Sequence, residues 1–343
     1  MATCLSQLYH EHKRGVKAGY AKFETFPIWN LPLKHPVNLA YEAATADLND
    51  VNMIDPFIWK PTASPLSTTT ATSRSSRWST RCSSSSRARA LQVPTDMGVN
   101  MAGNCIVDDE ACREASRNEI IRRYFKALCD LKTGKNVDSE IFKLELLLNQ
   151  AGLAVGDRAV EKQAHAVAER TGGAPAAAIE LPDGTVVTGK NGPLLGAASS
   201  ALLNALKKLA GIDHEIDLVS ARAIEPIQTL KTNYLGSRNP RLHTDEILIA
   251  LSSSAAENET AAVALQQLSK LKGCDMHSTV ILSSVDTDTI KRLGMYLTCE
   301  PAYEQVRPQV SQEISALAHK KSRTVQRKTV PCGFFVSSVV SQT

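Results

Sequence analysis

Apolar positions recur at helical spacing in three consecutive segments near the middle of the chain. The first begins at Asp108 or Asp109, either of which is a suitable N-cap, and runs to about Lys132, with Gly134 just beyond its end. Its apolar stripe consists of Ile120, Ile121, Tyr124, Leu128 and Leu131. Two further segments with this period lie near residues 138–150 and 157–170. The pattern predicts a compact helical module at about 108–170, within a helical domain spanning 94–172.

After Gly172 and Gly173 the pattern changes to short strands alternating with helices. Residues 177–181 and 185–188 flank a Pro-Asp-Gly turn and predict a β-hairpin. Further strands are predicted at 215–219, 277–283 and 295–299, and helices at 194–209, 223–234, 244–256, 259–271 and 286–293. This order predicts a mixed α/β domain at 173–301 and places the chain in the α/β class.

The N-terminal residues, the segment 58–93 and the tail differ from this pattern. Residues 1–57 predict a helix to about Ala18 and a short helix at 39–50, and they are interpreted as the remnant of an N-terminal α/β domain. Sixteen of the 36 residues in 58–93 are Ser or Thr, and the apolar period is lost there and again in the tail, 302–343. Both segments are predicted to be disordered.

The distribution of charge narrows the possible partners. The chain of 343 residues carries a formal net charge of +4. Residues 58–93 contribute +6 and residues 301–343 contribute +4, so the remainder is acidic at −6. The basic character is confined to two unpatterned segments, and the aromatic residues of the first, Trp59 and Trp78, form no stacking pattern, so nucleic-acid binding is not expected. No apolar run has the length of a membrane helix, so a membrane partner is not expected either.

The eight cysteines form no CxxC pair. Because the chain also lacks the pattern of a secretory signal, reduced thiols and a cytoplasmic location are expected. Cys274 and His277 have a CxxH spacing, but no second pair stands nearby to complete a zinc site. They are interpreted as a buried thiol and a histidine at the start of a strand, and metal use is left open.

The densest group of polar residues lies between positions 35 and 55. His35 is a candidate general acid or base, Asp47 and Asp50 are candidate catalytic carboxylates, and Asn38 and Asn49 are candidate ligand-binding amides. Carboxylate oxygens at this density would also suit Mg²⁺. The alternative is that these residues cap helices and turn the chain.

Two other segments are candidate anion sites. Asp96, Asn100 and Asn104 belong to a loop rich in Gly and Asn before a helix, where backbone N–H groups and the helix dipole attract anions. The loop matches no standard phosphate-loop pattern, and an ordinary loop is the alternative. Arg241 and His243 precede a helix start, and a guanidinium there suits phosphate or carboxylate. Ordinary N-capping is the alternative for this segment.

Seven runs of the sequence resemble a bacterial family called domain of unknown function 1846: residues 1–10, 19–57, 94–127, 177–190, 194–211, 236–246 and 273–301. Members of that family begin with a further α/β segment that ends in a Gly-Pro-Gly-Ser-Gly-Lys loop, which resembles a nucleotide-phosphate cradle. The resemblance implies that this chain is truncated at its N-terminus. It also implies a cytoplasmic homo-oligomer whose full-length form uses a nucleotide, with ATP and Mg²⁺ as candidate cofactors.

Residues 58–93 interrupt the resemblance. Sequences typical of the family, with their codons read one base later, give the runs 58–62 and 68–76 of this chain. The segment 58–93 is therefore interpreted as out of frame. The resulting hypothesis is the C-terminal part of a nucleotide-using cytoplasmic enzyme that binds a nucleotide or another small molecule and is inactive in this copy. The alternative is a non-catalytic, oligomeric binding or scaffold protein.

Overall fold

The computed structural model describes residues 2–16, 28, 30–54, 67–69, 100–156 and 158–304. The helices in this part are α1 (Ala2–Lys13), α2 (Pro36–Ala44), α3 (Asp109–Lys132), α4 (Asp138–Ala151), α5 (Ala159–Arg170), α6 (Ala197–Ala210), α7 (Ala221–Thr229), α8 (Thr244–Ser254), α9 (Glu259–Leu265) and α10 (Ser284–Arg292). The strands are β1 (Asn52–Ile54), β2 (Ser67–Thr69), β3 (Ala176–Glu180), β4 (Val186–Lys190), β5 (Asp275–Ser278) and β6 (Tyr296–Cys299). None of the helices in these residues is long and apolar enough to cross a bilayer. The predicted α/β class is confirmed.

Four strands form the main sheet, in the order β4–β3–β5–β6. Strand β3 is antiparallel to both β4 and β5, and β5 is parallel to β6. In the β3–β4 turn the Asp183 carboxylate accepts a hydrogen bond from Thr185 N–H at 2.9 Å, and Gly184 has a φ of +78°. These residues supply the conformation that the turn requires, and the predicted hairpin is confirmed.

The larger hydrophobic core lies against the sheet face that carries Ala177, Ile179 and Met276. Helix α6 packs directly on β3 and β4, and its Leu202 and Leu206 are buried there. Helices α8, α9 and α10 also contribute buried side chains to this core. This arrangement buries the first face of the sheet.

The opposite face of the sheet is covered by α5. This helix packs on β3, β4 and β5, and its Val160 and Ala164 contact Ala178. The predicted bounds of α3, α4 and α5 are confirmed, but the compact module predicted for 108–170 is wrong in its last helix. Because Ala178 of the second face is completely buried, this face also needs a cover, and α5 provides it.

Helices α2, α3 and α4 surround a second hydrophobic core. Leu39 and Ala43 of α2 pack there with Ile121 and Phe125 of α3 and with Leu147 of α4. The helical unit therefore extends beyond the predicted domain 94–172 to include α2, which comes from the N-terminal segment. A periodic pattern shows that a helix has an apolar face, but not which distant helix covers it.

Two predicted strands differ from the structure. Residues 215–219 form a turn followed by bends, and just before them the Asp213 carboxylate accepts a hydrogen bond from Glu215 N–H at 2.9 Å. The strand predicted for 277–283 is β5, which ends at Ser278, where the hydroxyl donates to Val280 O at 2.9 Å. In both places a short polar side chain bonds the local backbone and replaces ladder bonds.

Two predicted helices are also shorter or shifted. The helix predicted for 39–50 is α2, which begins at Pro36, a residue suited to the first turn, and ends at Ala44. Beyond it Asn49 has a φ of +51°, which a helix excludes. The first helix ends at Lys13 rather than near Ala18, because Gly15 has a φ of +76°.

The segments predicted to be disordered, 58–93 and 302–343, lie mostly outside the described residues. Within the first, Ser67–Thr69 forms β2 and pairs antiparallel with β1, joining Asn52 to Thr69 and Ile54 to Ser67. The expectation of disorder is wrong for these three residues. The prediction of disorder rested mainly on composition and did not include the high strand propensity of threonine.

The contact between α6 and β4 depends on Gly189, where a Cβ would overlap the backbone of Ala201. We expect Gly189→Ala to lower the free energy of unfolding by about 3 kcal/mol, because neither backbone can move without disturbing the sheet. Gly192→Ala is the matched control, since the nearest atom to its added Cβ, Leu195 O, is 4.0 Å away. Urea unfolding followed by circular dichroism measures both variants. Equal stability of the two would contradict this account of the packing.

Candidate functional site

His35 is the N-cap of α2 and is buried. Its Nδ1 accepts a hydrogen bond from Val37 N–H at 3.3 Å, and its Nε2 lies 2.9 Å from Asp109 Oδ1. Arg113 Nε donates to the other oxygen of that carboxylate at 2.6 Å, and this bond, followed by the one from His35, lowers the pKa of Asp109 against the effect of burial. His35 thus joins the start of α2 to the start of α3. These contacts support the capping alternative, and the acid–base role stays a prediction.

Asn38 is completely buried and connects α2 to the chain on either side of it. Its Oδ1 accepts from Ile28 N–H at 3.2 Å, and its Nδ2 donates to Pro32 O at 3.0 Å. Its backbone carbonyl accepts from Asn52 Nδ2 at 2.9 Å. The amide is therefore engaged with the protein itself rather than presented to a ligand.

The three acidic and amide residues at 47–50 do not share one environment. Asp50 is buried and accepts a hydrogen bond from the Tyr41 hydroxyl at 2.6 Å. Asp47 and Asn49 are exposed. The predicted cluster at 35–50 therefore divides into buried residues that hold α2 in place and surface residues beyond its end.

Lys143 of α4 completes the buried part of this cluster and was not singled out from the sequence. Its Nζ donates to Asp50 O at 2.8 Å, although it lies 93 positions further along the chain. Burial lowers the pKa of Lys143 against the opposing charges of Glu42, Asp50 and Asp47. Burial raises the pKa of Glu42, whose Oε1 accepts from Asn52 N–H at 3.0 Å. Only the packing of α4 beside α2 reveals this contact.

The loop before α3 is held against the segment around residue 30. Asn30 Nδ2 donates to Asn104 Oδ1 at 2.6 Å, and Asn30 Oδ1 accepts from Gly103 N–H at 3.1 Å. Asn100 Oδ1 accepts from Ala102 N–H at 2.8 Å. The N–H groups of residues 102 and 103 therefore have partners within the protein. Asp96, the remaining predicted residue of this loop, lies outside the described residues.

His243 precedes α8 and is held by a carboxylate from α10. Its Nδ1 lies 2.8 Å from Asp286 Oδ2, and the other oxygen of Asp286 accepts from Thr244 N–H at 2.8 Å. The hydrogen bond to Asp286, opposed by burial, raises the pKa of His243. Burial opposes ionisation of Asp286, but hydrogen bonds from His243, Thr244 and Ser283 lower its pKa. Sequence analysis found His243 but not Asp286, which is 43 positions away.

Ser283 completes a group with the composition of a hydrolytic triad but not its geometry. The Ser283 hydroxyl donates to Asp286 Oδ2 at 2.7 Å and lies 3.4 Å from His243 Nδ1. In a triad the nucleophile faces the nitrogen remote from the carboxylate, here Nε2. Ser283 is on the wrong side of the ring and serves as the N-cap of α10. The two side chains that contact the His243 ring nitrogens among the described residues, Asp286 and Ser283, both do so at Nδ1.

Arg241 and Lys231 position the segment before His243. Arg241 Nε donates to Gly192 O at 2.9 Å. Lys231 is buried, and its Nζ donates to Arg241 O and to Glu246 Oε2, both at 2.7 Å. Glu246 Oε2 also accepts from His243 N–H at 2.7 Å. Arg241, predicted to bind an anion directly, therefore uses part of its guanidinium to hold a neighbouring loop.

Three helix starts meet around residues 242–244. At the start of α6, Gly196 N–H and the Ser199 hydroxyl both donate to Leu242 O, at 3.4 and 2.9 Å. Asp286 in the first turn of α10 accepts from Thr244 at the start of α8. The Thr244 hydroxyl is buried and has no hydrogen-bond partner among the described residues. Because helix N-termini carry partial positive charge, this region favours an anion.

A cleft of about 780 Å³ lies beside the same region. Its lining includes the loop 192–195 together with the cationic residues Arg170, Lys190 and Lys207. Leu194 of that loop accepts a hydrogen bond from Leu242 N–H through its carbonyl at 2.9 Å. One short loop therefore contacts both the cleft and the segment that carries His243.

The predicted site residues form two groups rather than one. His35 and Asn38 closely precede Leu39, which belongs to the core between α2, α3 and α4. His243 follows Leu242, which belongs to the larger core against the sheet. The group at His243 has the arrangement better suited to chemistry, because its imidazole is oriented by a carboxylate and keeps one nitrogen available.

Two family models match the chain. The first is described as "Domain of unknown function DUF1846, N-terminal" and covers residues 1–152, and the second is its C-terminal counterpart and covers residues 156–307. The chain belongs to the DUF1846 family. The resemblance predicted from the sequence is confirmed. The division between the two matches falls between α4, which packs with α2 and α3, and α5, which packs on the sheet.

Relatives with the name UPF0371 protein match along most of the chain. The one from Corynebacterium glutamicum (strain R) is 55% identical over 309 residues, which are 89% of this chain and 62% of the relative. The one from Corynebacterium diphtheriae is 56% identical over 310 residues, 89% of this chain and 61% of the relative. A Streptococcus thermophilus relative is 50% identical over 311 residues, with shares of 89% and 62%. The chain spans about three fifths of the length of these relatives.

The family matches bear on two of the predictions made from the sequence. The N-terminal model covers residues 1–152 and so includes 58–93. The matches give no support to an out-of-frame segment there, nor to an N-terminal truncation. The predicted inactivity of this copy depended on both and loses its basis.

The pKa of His243 should fall when Asp286 is replaced by Asn, because the hydrogen bond that favours the imidazolium is weakened. Since the folded-state pKa of His243 is raised, the pair stabilises the fold below the unfolded-state pKa of histidine. That contribution is lost as the pH rises through the raised value. Nuclear magnetic resonance titration of the His243 ring in wild type and Asp286→Asn measures the shift. The difference in unfolding free energy between the wild type and Asp286→Asn should become smaller as the pH rises through the raised pKa of His243.

Asp217→Asn is the control for this titration, because Asp217 is an exposed carboxylate in a loop. It should leave the titration midpoint of His243 unchanged. A midpoint that is also unchanged in Asp286→Asn would contradict the proposed coupling.

Proposed function

We propose that this protein is an enzyme that acts on a phosphate-bearing small molecule, with a nucleotide as the first candidate, and that His243 transfers the proton. The observation that supports this proposal is the His243–Asp286 pair. Asp286 orients the ring through Nδ1 at 2.8 Å, and the side chain remains 24% exposed. A histidine oriented through one nitrogen can accept or donate a proton at the other.

The surroundings of His243 support an anionic substrate. Lys231 is paired with Glu246, and Arg241 is bound to Gly192 O, so these side chains offer limited free charge. The attraction would come mainly from the adjoining helix starts and from the protonated imidazole. The raised pKa of His243 increases the fraction of imidazolium near neutral pH, which favours a bound phosphate.

The same geometry suggests what each residue does in the reaction. Asp286 keeps the Nδ1 proton in place and stabilises the imidazolium. In its protonated form, His243 Nε2–H would donate to a phosphate or leaving-group oxygen. In its neutral form, Nε2 would accept a proton from an attacking hydroxyl or water.

ATP and Mg²⁺ remain candidate ligands on the strength of the family resemblance. In the cluster near α2, one oxygen of Glu42 accepts from Asn52 N–H and one oxygen of Asp50 accepts from the Tyr41 hydroxyl. Mg²⁺ binding at these carboxylates would compete with those bonds. No step of the proposed reaction is therefore assigned to a metal at that position.

Phosphorus magnetic resonance of ATP incubated with the protein, with and without Mg²⁺, tests the proposal. We expect conversion of ATP by the wild type and a rate about 100-fold lower for His243→Gln, because the proton acceptor is lost. His12→Gln, which changes an exposed histidine on α1, should retain the rate. Thermal shifts with inorganic phosphate and AMP provide an independent measure of binding. The absence of both conversion and binding, or equal rates for wild type and His243→Gln, would refute the proposal.

The alternative function is that of a non-catalytic, oligomeric binding protein. The observation that favours it is an apolar pair on α4, where Phe142 is 64% exposed and Leu146 is 45% exposed. The two lie one turn apart, on a face away from the buried Leu144, Leu147 and Leu148. Two copies of this face can meet about a two-fold axis, because the same patch is then supplied by both subunits.

Light scattering distinguishes this alternative. If α4 forms a dimer contact, the combined change Phe142→Glu and Leu146→Glu should reduce the measured mass to that of a monomer. Gln163→Glu, which adds charge at an exposed position on α5, is the control and should leave the mass unchanged. A wild-type protein that is already monomeric would exclude an oligomeric function through this surface.

We also propose a cytoplasmic location, with neither nucleic acid nor membrane as a partner. The described cysteines, Cys105, Cys112, Cys129, Cys274 and Cys299, are all free thiols, which a reducing compartment favours. The acidic balance of the chain outside 58–93 and 301–343 gives no electrostatic basis for binding nucleic acid.

A further inference from the structure

A second histidine cluster lies on the sheet face that α5 covers. His165 comes from α5, His277 from β5, and Glu300 directly follows β6. One ligand atom from each side chain lies within 4.8 Å of the other two. His165 Nε2 is 3.0 Å and His277 Nε2 is 3.4 Å from Glu300 Oε1. The sequence pattern did not group them, because His165 and Glu300 are 135 positions apart.

The hydrogen bonds of Thr298 assign the tautomer of His277. The Thr298 hydroxyl has one proton, which it donates to Met276 O at 3.2 Å. Its oxygen therefore acts as the acceptor for Arg158 Nη1 at 3.2 Å and for His277 Nδ1 at 2.9 Å. With the Thr298 proton directed to Met276 O, Nδ1 of His277 carries a proton and the lone pair of the neutral ring is on Nε2. Histidines that bind metals commonly donate their second ring N–H to a protein oxygen in this way.

In this tautomer His277 Nε2 is a hydrogen-bond acceptor that lacks a donor among the described residues. His277 is completely buried, and Nε2 has no hydrogen-bond partner among the described residues. Its lone pair lies 3.4 Å from a carboxylate oxygen, so two acceptors lie close together. Either a cation between them or a second proton on the ring would remove this repulsion.

The spacing of the three ligand atoms suits a metal ion. Nitrogen and oxygen ligands lie about 2.0–2.2 Å from Zn²⁺, so two ligands of a tetrahedral ion are about 3.3 Å apart. The distances of 3.0 and 3.4 Å to Glu300 Oε1 are close to this value. His165 is half exposed, which leaves a side open to solvent. Three protein ligands with an open position are typical of a reactive metal centre rather than a closed structural one.

A second carboxylate, that of Glu161, lies near the cluster and interacts electrostatically with His277 and Glu300. It lies one helical turn before His165 on α5, on the same face, and its side chain is 1% exposed. One of its oxygens, Oε2, is buried without a hydrogen-bond partner among the described residues. Burial raises the pKa of Glu161, against the opposing charges of Arg158 and His277. A divalent cation nearby would stabilise the negative charge of this buried carboxylate, because one of its oxygens has no hydrogen-bond partner among the described residues.

We propose that His165, His277 and Glu300 bind a divalent first-row transition-metal ion, for which Zn²⁺ is the first probe. Two imidazole nitrogens and one carboxylate oxygen suit Zn²⁺, Fe²⁺, Mn²⁺ or Co²⁺ and are poor ligands for Ca²⁺. The site uses His277 with His165, not with Cys274 at the CxxH spacing. It lies on a different face of the sheet from Met276 and the core next to His243, and does not depend on the function proposed for that residue.

Titration calorimetry of the metal-depleted, full-length chain with Zn²⁺ tests the proposal. We expect one bound ion per chain and at least ~tenfold weaker binding for His165→Ala, which changes a half-exposed side chain. His277→Asn changes a completely buried side chain, so near-ultraviolet circular dichroism of each variant accompanies the titration and identifies any variant that does not fold. Cys274→Ser and His214→Ala, the latter removing an exposed histidine beside Glu215, should bind Zn²⁺ as the wild type does.

Two spectroscopic measurements complete the test. Co²⁺ bound at this site should give a visible spectrum without the intense sulfur-to-cobalt band that a cysteine ligand produces. Nitrogen-15 resonances of His277 should show one protonated ring nitrogen, Nδ1, at saturating Zn²⁺. A wild type that binds no Zn²⁺, a folded His165→Ala that binds it equally well, or a His277 Nε2 that keeps a proton at saturating Zn²⁺ would overturn the proposal.

Discussion

Asp275, at the start of β5, joins the helical part of this protein to its sheet. Its Oδ1 lies 3.1 Å from Arg122 Nη1 of α3 and 2.9 Å from Arg158 Nη2, immediately before α5. The two arginine side chains are 16% and 6% exposed, so these charges are largely removed from water. Loss of one member of such a network leaves the others without compensation. This carboxylate therefore links α3, beside the sheet, to the start of α5 on its second face.

Successive side chains of strand β5 point to opposite faces of the sheet, so the strand contributes to two different environments. Met276 points into the larger core with α6, whereas His277 points to the other face and contacts the ring of Phe125 in α3 at 5.2 Å. The His243–Asp286 pair is associated with the first environment, and the histidine cluster with the second. One short strand thereby supports two polar groups that are separated by the sheet.

Several elements could be predicted from local pattern. The bounds of α3 and α4 and the β3–β4 hairpin were predicted correctly, because helical period, caps and turn residues act within a few positions. The partner of α5 was not predicted, since an apolar stripe fits a helix or a sheet equally well. His243 was selected as a candidate, but Asp286, which orients it, was not. His35 and Asn38 were selected for their polarity, and their contacts show that they hold α2.

By itself, the sequence determined the α/β class, most of the helices and the family, because these depend on local periodicity and on long runs of similar residues. Only the tertiary structure decided which side chains meet. His165 and Glu300, or Lys143 and Asp50, approach each other because apolar faces far apart in the chain share a core. A polar side chain has no periodic signal that specifies its partner, and the free energy of burying the apolar faces decides where it lies.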